Sequence, residues 1–429
     1  MNAVKKFPEA LLCTAPQNSR LCEALQKLQQ NARAQLDTLA LPTRKNEDWR
    51  YSAAALSHLD TLSNNSTGQG AAEAASDGVS GYRLVLRNGL WQKDAGELPE
   101  NHLVEVISFE QLNESDAALV SQSTLYQRSD LPFAQLNTAH FSEGLFIRIK
   151  KNQRLDQPLV IQYDSEDQGA SYPKLFVLAE SGAQATLIEE FTGASGETPA
   201  CTVLTNSVTE LRLQPQSQLT LIRLDLAGES VAHTGLTLAQ LQRDSRLETH
   251  CAGFGGKLRR HDLKVALAEP GAECKLNGVC VTLGQQHYDN HTEIEHIASH
   301  CNSEENYRCI AADSSRIVFN GRIHIHRDAQ KSNGAMNNRN LLLSNDAEID
   351  TKPELEIYAD DVKCAHGTTI GQLNEEELFY LLTRGIPKDQ AATMLTLGFV
   401  VELVYQIPDE NVRTLVEQKL EAFIHAAHV

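Results

Sequence analysis

Two closely spaced residues carry the most distinctive chemistry in this sequence. In DVKCAHGTTIG, residues 361–371, Cys364 and His366 stand two positions apart. In an extended strand such a pair faces one side, with its Cα atoms about 7 Å apart. A thiolate and a neutral imidazole are soft-to-borderline donors suited to iron, zinc or an iron–sulfur cluster. Two ligands are too few, because a cluster normally takes four, mostly thiolates. If the pair works on iron and sulfide, the missing ligands come from another chain. Local sequence alone favours a plainer reading: a buried cysteine and a capping histidine at a strand end. Asp360 and Asp361, just before the pair, read either as carboxylates of the same site or as a solvated turn.

Other constellations are thinner. His324 and His326, in GRIHIHRD, share one face of a strand and could be two metal ligands. No third cysteine or carboxylate stands at a defined spacing from them, and exposed strand histidines are commoner. His296 and His300 would share a helix face, but HIASH sits among strand and loop residues. Nine cysteines at 13, 22, 201, 251, 274, 280, 301, 309 and 364 include no Cys-x-x-Cys. They read as buried thiols rather than a disulfide framework. There is no G-x-x-x-x-G-K-[ST], no G-x-S-x-G and no H-E-x-x-H. The nearest approach to a phosphate loop, CAGFGGKLRR, lacks the first glycine and the hydroxyl residue after Lys257, so nucleotide hydrolysis is not expected.

The elements that must position Cys364 and His366 are strands. From about residue 145, short alternating runs such as LFIRIKK, PLVIQYD and RIVFNGRIHIH are separated by turn residues. A motif recurs within them: an apolar residue, a polar turn, a small residue, then alternation. The small residue falls at Ala183, Ser217, Ser245, Ala272, Ser315 and Ala347, at spacings of 34, 28, 27, 43 and 32. Units of this kind cannot bury their own apolar faces but can stack into a solenoid. A parallel β-helix is expected, with a β-sandwich as the plainer alternative. Its final coil would end in PELEIYADDVKCAH, read as one open strand with Leu355 and Ile357 on one face and Glu354, Glu356 and Tyr358 on the other. An open strand edge is a template for another chain.

The flanks differ. Residues 19–41 place Leu21, Leu25, Leu28, Ala32, Leu36 and Leu39 on one helical stripe, with Ser19 as N-cap. SNNSTGQGAAEAASDGV, 63–79, reads as a linker, and YRLVLRNGLW as strands about an Asn-Gly turn. After 371 three helices follow, capped by Asn374 and Gly385 around the first, with Pro387 opening the second and Asp409 capping the third. The middle one, 389–407, is apolar around much of its circumference, read mostly as buried and otherwise as a docking face. The expected organisation is therefore a helical region and linker over 1–80, a mixed lead-in over 81–144, a β-helix core over 145–370 and a helical domain over 371–429.

At 429 residues, with 41% hydrophobic and 22% charged residues, the chain suits a globular protein with a large core. Its net charge of −18 argues against nucleic acid and anionic membrane as partners. No apolar run is long enough to span a bilayer, and MNAVKKFPEALLCTAPQ is not read as a signal peptide. A cytoplasmic location is expected.

The stretch NNRNLLLSNDAEIDTKPELEIYADDVKCAHG, together with PTRKNEDWRYS at 42–52, resembles the SufB/SufD family of iron–sulfur cluster assembly proteins. The absence of a Cys-rich N-terminal motif makes the chain most like the SufD branch. The resemblance implies a right-handed parallel β-helix between helical domains. It implies pairing with a SufB-like chain through the end of the β-helix, and a SufC-like ABC ATPase on the C-terminal helices. The position of His366 implies an iron or cluster ligand at that interface, with Cys364 as its neighbour, around a nascent iron–sulfur cluster shared with the partner. Reduced flavin in the complex and a homodimer of the isolated chain are left open. The rival expectations are a purely structural stabiliser of the SufB-like chain, and a β-helix enzyme acting on polysaccharide.

Overall fold

A computed structural model describes residues 6–12, 18–62, 79–123, 130–165, 169–193 and 202–427; the linker reading falls almost wholly outside these residues. Among them the chain forms two ten-stranded sheets, antiparallel only at the Asn88–Gly89 hairpin and between Val104–Ser108 and Gly144–Ile149. From Gln218 onward successive strands alternate between the sheets. Gln218–Asp225, Arg246–Gly253, Glu273–Thr282, Asn302–Ala311, Asn333–Leu342 and Lys363–Gly371 stack in the first; Val231–Leu241, Leu258–Leu267, His287–His296, Arg316–Ile325 and Glu348–Ile357 stack in the second. This is a parallel β-solenoid. The sequence expectation of a mainly β chain with a solenoid core and helices at both termini is met.

Registers between coils are continuous, so each inward position forms a column. Leu219, Leu247, Cys274, Ser303, Gly334 and Cys364 are one column of the first sheet. Ala239, Val265, Ile294, Ile323 and Leu355 are one of the second. The two sets of columns face each other and make the main apolar core.

The corners explain the irregular spacing read from the sequence. Six successive first-sheet corners pair a residue at positive φ with a small buried one: Gly182–Ala183, Gln216–Ser217, Asp244–Ser245, Gly271–Ala272, His300–Cys301 and Lys331–Ser332. The left-handed residue reverses the chain, and the next must fit inside the bend. Cys301 and Ser332 belong to this series and went unread. Ser315 and Ala347 precede second-sheet strands instead. The corrected spacings are 34, 28, 27, 29 and 31 residues. Cys301 escaped notice because a buried thiol is as compact as serine but is not a turn residue.

Helices cover the outer faces. The N-terminal part contains α1 (Glu9–Leu12), α2 (Glu23–Gln35), α3 (Glu114–Ser121) and α4 (Pro132–His140). Phe7, Trp49 and Phe133 pack there against Leu204, Ala232 and Leu258 of the second sheet. Ser19 does not cap α2, which starts at Glu23 after Cys22; Asn18 instead ties this end to Glu110 and to the Ser142 carbonyl. The C-terminal α5 (Glu375–Thr383), α6 (Lys388–Val404) and α7 (Glu410–Ala426) cover the first sheet, with Val400, Leu403, Val404 and Leu420 against Ile222, Val279 and Ile310. Asn374 and Asp409 cap α5 and α7 as read, accepting from Glu376 and Val412 N–H, and Gly385 ends α5 at φ +80°.

Candidate functional site

Among the described residues the solenoid ends without a cap. Lys363–Gly371 is the outermost strand of the first sheet and Glu348–Ile357 that of the second. The segment read as one open strand is thus two, joined by a corner over residues 358–362, and each sheet presents its own free edge. The corner through 358–362 breaks the run, whereas Pro353 sits inside the second-sheet strand, and the last coil therefore offers two rims.

Cys364 and His366 lie on the first rim and occupy inward positions. Cys364 pairs with Gly334 and is half-buried against the core; His366 pairs with Met336 and is exposed. They do face one side, as strand alternation requires. Burial pushes the Cys364 thiol up, opposed by a hydrogen bond from the Gly334 backbone. It is therefore a protonated thiol at neutral pH until a metal takes the place of its proton. Around Gly367 and Gly371 there is open space.

His366 crowns a column that runs back through Met336, Glu305, Leu276 and Thr249. Glu305 is fully buried two coils beneath it, and burial pushes its carboxyl up to about 7. Sequence reading missed Glu305, because only the register places it under His366.

Asp360 and Asp361 are exposed in the corner between the last two strands. The Asp361 backbone N–H donates to Gln330 Oε1, and its carbonyl accepts from Lys331 N–H at 2.6 Å, which ties this corner to the one beneath. Their position fits the solvated-turn reading better than a ligand role. His324 lies on the outer face of the second sheet, with His326 just past the strand end, on the opposite side of the wall from Cys364. The two pairs do not form one site. His296 and His300 part company as expected: His296 is buried, bonded to Ser303 Oγ at 2.8 Å and lowered to about 4 by burial, whereas His300 is an exposed corner residue.

The C-terminal helices leave an apolar surface uncovered. No residue of α5 is buried; Phe379 is 67% exposed, Tyr380 56% and, on α6 and just beyond it, Met394 52% and Tyr405 62%. The middle helix is buried along Ala391, Ala392, Thr396, Val400, Leu403 and Val404, as the buried reading expects, and its other side is open.

Comparison with known proteins places these features in a group. Residues 161–399 match a family model described as SUF system FeS cluster assembly, SufBD core domain. The chain is 31% identical to the iron–sulfur cluster assembly protein SufD of Escherichia coli K12, over 94% of this chain and 92% of that one. It is 29% identical to an iron–sulfur cluster assembly SufBD family protein of Synechocystis, over 88% and 86%.

Proposed function

We propose, from the premise that this chain belongs to the SufB/SufD family of iron–sulfur cluster assembly proteins and is most like its SufD members, that it is the non-ATPase scaffold subunit of a cytoplasmic SufBCD-type complex. The observation that carries this reading is the uncapped coil: an exposed imidazole and a half-buried thiol stand on a free sheet edge, two ligands where a cluster takes four. A SufB-like chain that continues either sheet would satisfy the edge backbone and supply the remaining ligands. His366 is the iron or cluster ligand of this chain. Cys364 assists once deprotonated. Asp360 and Asp361 shape the corner. The nascent cluster is the cargo, formed across the junction and released from it.

The chain has no phosphate loop, so the driving ATP hydrolysis belongs to an ABC-type partner of the SufC kind. The exposed Phe379, Tyr380, Met394 and Tyr405 are the surface on which it docks. Among the described residues no helix is long and apolar enough to cross a membrane.

The test is reconstitution of separate and combined chains. The full chain alone, the SufB-like chain alone and the co-purified complex are each given ferrous iron and sulfide without oxygen. Stable visible cluster absorption is expected in the complex and not in this chain alone. A stoichiometric, stable cluster on the lone chain overturns the proposal.

A further inference from the structure

The second sheet carries a separate constellation on its outer face. Glu295 and His324 are register partners on adjacent coils, and His326 follows two residues on. All three are half-buried, and their ligating atoms lie within 4.8 Å of one another. The two imidazoles stack at 4.3 Å between centroids, 7° from parallel, so they present their nitrogens together. We propose that Glu295, His324 and His326 form a binding site for a divalent first-row transition ion such as zinc or ferrous iron.

Four observations beyond proximity support this. The donor set is two imidazoles and a carboxylate, which suits these ions and leaves coordination positions open. His326 Nε2 is buried and has no hydrogen-bond partner among the described residues, an arrangement that a bound ion would relieve. His324 Nδ1 stands 3.6 Å from a carboxylate oxygen of Glu356. That carboxylate is the next rung of the same column and is itself held by Arg322 at 3.4 Å. A carboxylate behind one imidazole nitrogen leaves the other for metal and fixes the ring. The Tyr358 ring, 5.3 Å from His324, closes one side. With bonds of about 2.1 Å to each ligand, the donor atoms must draw together by roughly an ångström, within the reach of small side-chain rotations.

The sequence showed the two histidines but no third ligand, because Glu295 is 29 residues from His324 and only the coil repeat brings it alongside. The site is distinct from the rim of Cys364 and His366, since it lies on another sheet and faces outward. It stands or falls independently of the cluster-assembly reading.

The experiment uses the full chain without a histidine tag, stripped by chelator and titrated anaerobically with zinc, and with cobalt(II) for its visible ligand-field bands. One equivalent is expected in wild type and in His366→Ala. The His324→Ala/His326→Ala variant should lose that equivalent and the bands, and Glu356→Gln should weaken binding by about tenfold to a hundredfold. Thermal melting of each variant checks the fold. Glu295→Gln keeps the side-chain shape and removes one charged ligand by itself, so the site stays testable should the double variant misfold. Unchanged stoichiometry and affinity in Glu295→Gln and in the double variant, or no equivalent in wild type, overturn the site.

Discussion

At the scale of residues, the Cys-x-His pair was legible from sequence because strand alternation alone makes the two side chains share a side. What lies beneath them was not. Glu305 and Glu295 acquire their surroundings from residues about thirty positions away, and only the register of stacked coils reveals those partners. Glu305 gives a prediction. Its folded carboxyl titrates near 7 rather than at its ordinary 4.5 because burial disfavours the charge. Between those values the unfolded chain gives up its proton and the folded one keeps it. The group's favourable contribution is therefore complete below pH 4.5 and is lost as pH rises towards 7. Glu305→Gln removes that loss. Relative to wild type, its stability should improve by about 3 kcal/mol between pH 4.5 and pH 8, read from denaturant unfolding at each pH. A difference between variant and wild type that does not change with pH would show that Glu305 is already ionised in the fold.

At the scale of elements, the alternation, the caps of the C-terminal helices and the hairpin turn were readable because each is a local rule, whereas Ser19 was misread as the cap of α2. The corner series was read incompletely. Cysteine at 301 hides its role behind its chemistry, and the serine at 332 was not recognised as a corner. The common demand at all six corners is small volume inside a left-handed bend, and it can be tested. Ser245 is fully buried and its hydroxyl donates to the Gln242 carbonyl at 2.7 Å. Ser245→Ala should cost about 1 kcal/mol through that bond, whereas Ser245→Leu should cost about 1–3 kcal/mol more from overpacking, both measured by chemical denaturation. Equal effects would mean that volume is not what the corner selects. The helices of the C-terminal unit make a complementary case. Phe379 is largely exposed, so Phe379→Ala should leave the melting temperature nearly unchanged while weakening co-purification of the ATPase partner; an unchanged yield of that partner would move the docking surface elsewhere.

At the scale of the whole molecule, the decisive feature is an unfinished solenoid. Helices pack against part of both outer faces, yet among the described residues nothing pairs with the last strand of either sheet. The sequence suggested an open end but drew it as one strand, since the corner at 358–362 contains no glycine and the proline inside the run stands on an edge, where it costs no ladder bond. An inward charge on that rim should block continuation of the sheets. Ile370 is 47% exposed there, so Ile370→Lys should change the stability of the isolated chain by less than about 0.5 kcal/mol and abolish association with the SufB-like chain in size-exclusion chromatography. Retained association would place the junction off this rim.

The claim on which the whole account rests is that His366 completes a coordination sphere shared between two chains. The most direct measurement is anaerobic cluster reconstitution on the complex of this chain with the proposed SufB-like and ATPase partners, comparing wild type with His366→Ala by visible absorption and by iron and sulfide content. The account predicts that the variant complex assembles with unchanged subunit stoichiometry and forms no cluster. A normal yield of cluster on the intact variant complex would contradict it.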